Sequence, residues 1–253
     1  LNQHIHLLGL HVFPEASLRI KPGFVLNLNR NHILSDEHFS LINDSKLSLE
    51  GNLNAQSVLN KAHLHLNAQL ETNYIQNKGE LIFGHSVVIG FDTQMTSFEN
   101  NANMSFDPLD QNPIKLLIQG EFVQNKDPSL NTQPQISLRI FPTQSDQILV
   151  SDRVNIEGGD LLLTVTKQVQ NQELYRVGKD YSYEFFGNPV SVNKLRFDQI
   201  NVVFDEGMTL NYTFDEQYSK FYFLNPNYFS YISDTKAKSF AKGLDESLNN
   251  LPQ

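Results

Sequence analysis

Apolar and polar residues alternate in short bursts along this chain. In residues 1–30 the apolar positions are Ile5 and Leu7, Leu10 and Val12, Leu18 and Ile20, then Val25 or Leu26 with Leu28. A period of two predicts half-buried strands, and Lys21-Pro22-Gly23 supplies a turn between two of them. From Leu41 to Phe106 the bursts become a repeat. Asn43-Asp44-Ser45-Lys46-Leu47-Ser48-Leu49 is followed by Asn60-Lys61-Ala62-His63-Leu64-His65-Leu66, Asn77-Lys78-Gly79-Glu80-Leu81-Ile82-Phe83 and Asn100-Asn101-Ala102-Asn103-Met104-Ser105-Phe106. The asparagines are 17, 17 and 23 residues apart. One strand-like unit recurring about every 20 residues predicts a solenoid. Pro14 to Ile20 fits the same template with Pro in place of Asn, and its 29-residue distance from Asn43 leaves room for one longer rung.

Each template position has a physical reason. Asn tolerates left-handed backbone and bonds its own main chain, so it suits a corner between strands. Identical Asn side chains on stacked rungs can hydrogen-bond in a row. The small residue two positions on lets the corner close. The Leu-x-Leu pair points into the coil, because alternate side chains of a strand share a face. Antiparallel hairpins joined by Asn turns would produce a similar text, and two equal spacings do not exclude them. Asn43, Asn60, Asn77 and Asn100 are thus candidate structural residues without a case for chemistry.

Between 107 and 145 the repeat is interrupted. Asp107-Pro108, Asn112-Pro113, Asp127-Pro128, Gln133-Pro134 and Phe141-Pro142 each bias their first residue away from helix, with strands such as Ile114–Gln119 and Ile136–Ile140 between them. Excursions on one face of a solenoid are often its binding surface; plain surface loops are the alternative. With rungs about 4.8 Å apart, about seven before residue 145 would make a rod on the order of 35 Å long.

Composition narrows the function classes. The 253 residues are 40% hydrophobic with 18 Phe, enough for an extended core. Nineteen basic against 28 acidic residues give a net charge of −9, which disfavours nucleic acid and anionic membranes as partners. The absence of Cys rules out a disulfide framework, a thiol nucleophile and a Cys-based zinc site. No apolar run approaches the roughly 20 residues of a transmembrane helix. The chain starts with Leu1 and carries no signal peptide, so it is expected to be an internal part of a longer polypeptide.

From Ile136 the text becomes more specific. Ile136 to Ile140 leads into Ser145 to Gly159 with Ser151-Asp152-Arg153-Val154 at its centre, then Leu161-Leu162-Leu163-Thr164-Val165. Tyr175, Gly178, Tyr181 and Tyr183 precede Phe185-Phe186-Gly187, and Lys220-Phe221-Tyr222-Phe223-Leu224 forms an aromatic strand. Over residues 130–250 this resembles the C-terminal end of bacterial autotransporter (type V secretion) passenger domains. Ser233 to Leu248 places Ala237, Phe240, Ala241, Leu244 and Leu248 on one helical face, capped by Ser233 or Asp234. It is similar to the helical linker that joins such a passenger to its barrel.

Candidate chemistry is sparse. The eight His are His4, His6, His11, His32, His38, His63, His65 and His85. His4/His6 and His63/His65 each set two imidazoles on one strand face, but no Asp or Glu completes a metal site by spacing. No metal or cofactor is expected. Gly84-His85-Ser86-Val87-Val88 lacks the last Gly of a nucleophile elbow. Asp107, Asp110, Glu121, Asp127, Asp146, Asp152 and Asp160 do not align on successive rungs as a carboxylate pair for glycosidic chemistry would; they read as solvated loop acids, as do Asp205-Glu206 and Asp215-Glu216. The aromatic run Tyr212, Phe214, Tyr218, Phe221, Tyr222, Phe223, Tyr228, Phe229 and Tyr231 is read as a cap, which a solenoid end requires, with a stacking surface for sugar or partner as the alternative.

The expectation is an all-β chain: a right-handed single-stranded parallel β-helix over 1–135, a β-sandwich-like cap over 136–232 including Tyr181, Tyr183, Phe185, Phe221 and Phe223, and a linker helix over 233–253. The resemblance implies a secreted or surface-displayed segment exported through the outer membrane ahead of its own barrel. It would be non-catalytic, meeting a host surface molecule or copies of itself, with a cap that promotes folding. A membrane-active toxin passenger and a β-helical polysaccharide lyase or glycosidase are the alternatives.

Overall fold

The computed structural model describes residues 4–7, 10–12, 17–20, 25–28, 41–67, 69–90, 96–166, 181–187, 191–205, 212–215 and 220–223. Among them the chain is all-β, with no helix. It visits three parallel ladders in turn, eight times. The first ladder joins His4–Leu7, Val25–Leu28, residues 52–55, residues 70–72, Val87–Ile89, Lys115–Ile118, Gln147–Val150 and Phe186–Gly187. The second joins Leu10–Val12, Leu41–Asn43, residues 58–60, residues 74–77, Thr96–Asn100, Gly120–Asn125, Arg153–Glu157 and Ser191–Arg196. The third joins Ser17–Ile20, Lys46–Leu49, His63–Leu66, Glu80–Phe83, Asn103–Phe106, Gln135–Ile140, Asp160–Val165 and Gln199–Phe204. Asn52–Asn60 and Leu70–Asn77 each serve the first two ladders with one long strand, which merges those ladders into a 14-stranded sheet. The third ladder is an 8-stranded sheet of its own. Both sheets are curled.

The period-two pattern explains the strands. Along the third ladder Leu47 and Leu49, Leu64 and Leu66, Leu81 and Phe83, Met104 and Phe106, Ile136 and Leu138, then Leu161 and Leu163 all point inward and are buried. In-register pairing sets each above its equivalent on the next pass. Ser17–Ile20 continues the same register, with Leu18 beside Leu47 and Ile20 beside Leu49. In the second ladder Val58, Ile75, Phe98, Phe122 and Val154 fill the matching column, and Phe98 meets Phe122 edge to face at 5.4 Å. Fully burying a side chain of this size contributes roughly 1.5–3 kcal/mol.

The four asparagines close the corner between the second and third ladders. Asn43 Nδ2 donates to Asn60 Oδ1, Asn60 Nδ2 to Asn77 Oδ1, and Asn77 Nδ2 to Asn100 Oδ1, each at 2.8 Å and fully buried. The row goes one step further than the repeat, because Asn100 Nδ2 donates to Gln124 Oε1 at 2.8 Å. The same amides brace the backbone: Asn43 donates to His63 O, Asn60 to Glu80 O and Asn77 to Asn103 O. At Gly79 a Cβ would sit 2.3 Å from Ala62 O, so the small template residue answers a real contact.

The ladders cross position 135/136 without a break, for Asn103 pairs with Gln135 and Gln135 with Asp160. The part expected as a separate cap therefore begins with ladder strands, and parallel pairing continues to Phe204. Among the described residues six third-ladder strands precede residue 145, against about seven rungs expected. Among the described residues, antiparallel strands form a three-stranded sheet in which Lys220–Phe223 lies between Tyr181–Glu184 and Tyr212–Phe214, and one isolated antiparallel bridge joins Ile140 and Ser145. The helix expected over 233–248 lies outside the described residues, as do Tyr218, Tyr228, Phe229 and Tyr231.

Replacing Asn60 by Ala strips a partner from Asn43 Nδ2 and from Asn77 Oδ1, both buried. Urea denaturation of Asn60→Ala is expected to show a loss of about 1–3 kcal/mol. Asn43→Ala, which deprives one side-chain neighbour, should cost less. Equal stability of Asn60→Ala and the parent chain would contradict the row's role.

Candidate functional site

Among the described residues, the corner from the third ladder back to the first takes two of the longer connections; residues 126–134 make another, between the second ladder and the third. Gly84-His85-Ser86 makes the passage in three residues, whereas 107–114 and 141–146 are excursions. One arginine organises both. Arg139 is nearly buried, and Asp146 is fully so. Arg139 Nε donates to Asp146 Oδ2 at 2.8 Å and Nη2 to Asp146 Oδ1 at 2.9 Å, a planar fork on a carboxylate. Nη1 donates to the carbonyls of Asp107 and Asp110, and Nη2 to that of Asn112 at 3.0 Å. All five guanidinium N–H groups are engaged. Asp146 also accepts from the backbone N–H of Ile114 at 2.7 Å and of Arg139 at 2.8 Å. Burial pushes its carboxyl up, against the pull of Arg139 and of these two N–H donors. The guanidinium lies 5.2 Å from the Phe141 ring centroid.

Two Asx turns shape the 107–113 excursion. Asp107 Oδ1 accepts from Leu109 N at 2.8 Å and Asp110 Oδ1 from Asn112 N at 2.9 Å. The result is a loop anchored from below that holds Leu109 in solvent, 86% exposed. The outer carboxyl oxygens face histidines: His65 Nε2 lies 3.8 Å from Asp107 Oδ2 and His85 Nδ1 3.5 Å from Asp110 Oδ2. A third pair, His63 Nδ1 to Glu80 Oε2, is 2.5 Å long and solvent-facing. His63, His65 and His85 thus each lie beside one acid. Among the described residues no three His, Cys, Asp or Glu come together to hold a metal. His4, His6 and His11 are described only as backbone, and His32 and His38 fall outside the described residues.

The other candidate acids are dispersed. Glu121 pairs with Arg153 at 2.5 Å, and Asp127 with Lys78 at 3.2 Å. Asp160 begins a third-ladder strand, and Asp152 lies in the turn before Arg153. Ser86 Oγ accepts the backbone N–H of Lys115 at 3.1 Å, a structural bond between neighbouring passes. Sequence reasoning missed Arg139, because its partners are backbone carbonyls 27 to 32 residues away.

The aromatic residues assemble at the other end of this corner. Tyr183 lies 5.8 Å from Phe223, Phe185 6.3 Å from Phe221, and Phe221 4.9 Å from Phe223, mostly edge-on or tilted. Tyr181 stands 6.4 Å from Phe223. All five are buried. Such pairs add roughly 0.5–1.5 kcal/mol each beyond area burial. Phe204, from the last third-ladder strand, reaches Phe223 at 6.4 Å, and the Tyr183 hydroxyl donates to Pro142 O at 3.0 Å. The small sheet is therefore fastened both to the final pass and to the 141–146 excursion. Comparison with known proteins gives no matching family model, no matching curated protein and no matching solved structure.

Two outcomes test this corner. Arg139→Met strands the Asp146 charge and is expected to cost about 3–5 kcal/mol in chemical denaturation; a loss below 1 kcal/mol on that same scale would show the clamp to be incidental. Partial burial opposes ionisation of Asp110, but the Asn112 amides, His85 and Arg139 hold its carboxyl below the usual range. Its contribution to stability is then present above the unfolded value of about 3.8 and disappears as pH falls through the lowered folded one. In a carboxyl NMR titration, Asn112→Ala should move the Asp110 midpoint upward; an unmoved midpoint would refute the cause assigned.

Proposed function

We propose that this chain is the C-terminal part of a bacterial autotransporter passenger. In this reading it is a right-handed, single-stranded parallel β-helix that serves as a non-catalytic stalk for adhesion, closed by an aromatic cap that promotes folding and export. The observation that carries the reading is the run of eight passes through three parallel ladders, ended by a small antiparallel sheet of Tyr and Phe. Right-handedness follows the rule for parallel crossovers. Eight passes about 4.8 Å apart give a stalk on the order of 40 Å long.

A stalk fits what the polar groups do. Arg139 and Asp146 spend their hydrogen bonds on the fold, and Ser86 spends its oxygen on the next pass. The outward third-ladder positions Lys46, His63, Glu80, Asn103 and Gln135 form a polar flank. Such a flank, with the anchored 107–113 loop beside it, suits a host surface molecule or a second copy of the chain. The proposed setting is the bacterial surface or its surroundings, ahead of an outer-membrane barrel.

The cap's role is testable by refolding kinetics of the full chain. A cap that nucleates folding must be formed in the transition state, so Phe221→Leu should slow refolding by most of its stability loss, with a φ-value near 1. Leu53→Ala, in the third pass, should act mainly on unfolding. The reverse ranking would sink the folding role. Saturable binding of the chain to host-cell surfaces, or reversible self-association in sedimentation, tests adhesion; absence of both would remove it.

A further inference from the structure

We propose a divalent-cation site over Gly84, built from His65 Nε2, Asn67 Oδ1 and Asp107 Oδ2. Asn67, Gly84 and Asp107 follow the third-ladder strands of three successive passes. Their backbones extend that ladder by one step: Asn67 N–H donates to Leu49 O, Gly84 N–H to Leu66 O and Asp107 N–H to Phe83 O. The three residues are therefore stacked, and the middle one has no side chain. Its neighbours lean into that gap. A Cβ built on Gly84 would lie 1.7 Å from Asn67 Oδ1 and 2.8 Å from His65 Nε2.

These two atoms are buried and have no hydrogen-bond partner. Leaving a buried polar atom unsatisfied costs about 1–3 kcal/mol, so two of them converging on one point ask for a bound group. Asp107 Oδ2 closes the third side, 3.8 Å from His65 Nε2. Its other oxygen is held by Leu109 N–H, and its carbonyl by Arg139, so the carboxylate is aimed rather than loose. An imidazole nitrogen, an amide oxygen and one carboxylate oxygen make a mixed N/O donor set. It suits a borderline divalent ion such as zinc better than calcium or magnesium, which favour all-oxygen shells. Zinc bonds to such donors at about 2.0–2.2 Å, and a short inward movement of Asp107 brings the third donor into range. Water would fill the remaining position. Because His65 and Asn67 come from one pass and Asp107 from the next but one, a bound ion would cross-link the two passes on either side of Gly84.

The test uses the tag-free full chain and zinc chloride at neutral pH. Isothermal titration should find one more equivalent of Zn²⁺ on the parent chain than on His65→Ala, while His63→Ala and His85→Ala keep the parent's number. The ¹⁵N resonance of His65 Nε2 should shift with zinc and not with an equal concentration of magnesium. The NMR arm decides the matter even if His65→Ala folds poorly. Equal stoichiometry for the parent and His65→Ala, or a His65 Nε2 resonance that ignores zinc, would overturn the site.

Discussion

In-register parallel pairing is the constraint on which the rest of this molecule depends. When residue i of one pass lies beside its equivalent on the next, the inward side chains of the third ladder meet neighbours of the same kind. Apolar positions then become columns: Leu47, Leu64, Leu81, Met104, Ile136 and Leu161 are six steps of one column. Polar positions become columns too, and a buried polar column is tolerable only if its members satisfy one another. Asn does so because its amide carries both donor and acceptor, so one residue type can bond to itself indefinitely.

The same constraint decides what could be read in the sequence. The Asn corner and the Leu-x-Leu pairs are local and periodic, so their text survives without coordinates. The 17-residue offset that aligns Asn60 with Asn77 also aligns His63 with Glu80, a pairing that the repeat already contained. The 23-residue step to Asn100 has a plain cause. Leu70–Asn77 spans two ladders as one strand, whereas the next pass divides that work between Val87–Ile89 and Thr96–Asn100. Conversely, the first two ladders were hidden because residues 52–60 carry no turn signal where one ladder passes into the other. Gln124 was hidden because it continues the Asn row with a longer side chain. Arg139 and Asp146 looked like an ordinary strand residue and a loop acid, since nothing in a linear text marks backbone carbonyls as partners.

The two kinds of corner divide the labour. The Asn corner is short through the early passes and carries main-chain bonds from pass to pass, such as Lys78 N–H to Asn60 O and Asn101 N–H to Asn77 O. The opposite corner accepts insertions, because Arg139 supplies from a ladder strand the donors that the inserted carbonyls need. Length is added there while Lys115–Ile118 and Gln147–Val150 stay paired residue for residue. The aromatic sheet follows the same logic at the end of the ladders, where Phe204 and Tyr183 connect it to groups already in place.

The Asn row has an electrical consequence. Every link from Asn43 to Gln124 runs the same way, amide nitrogen toward the later pass, and Gln124 Nε2 ends the series on Gly158 O. Side-chain amide dipoles aligned head to tail polarise one another and add along the axis, as peptide dipoles do in a helix. The buried corner is therefore a one-way wire with its positive pole toward the aromatic end. It gives an otherwise repetitive stack a direction that no single pass possesses.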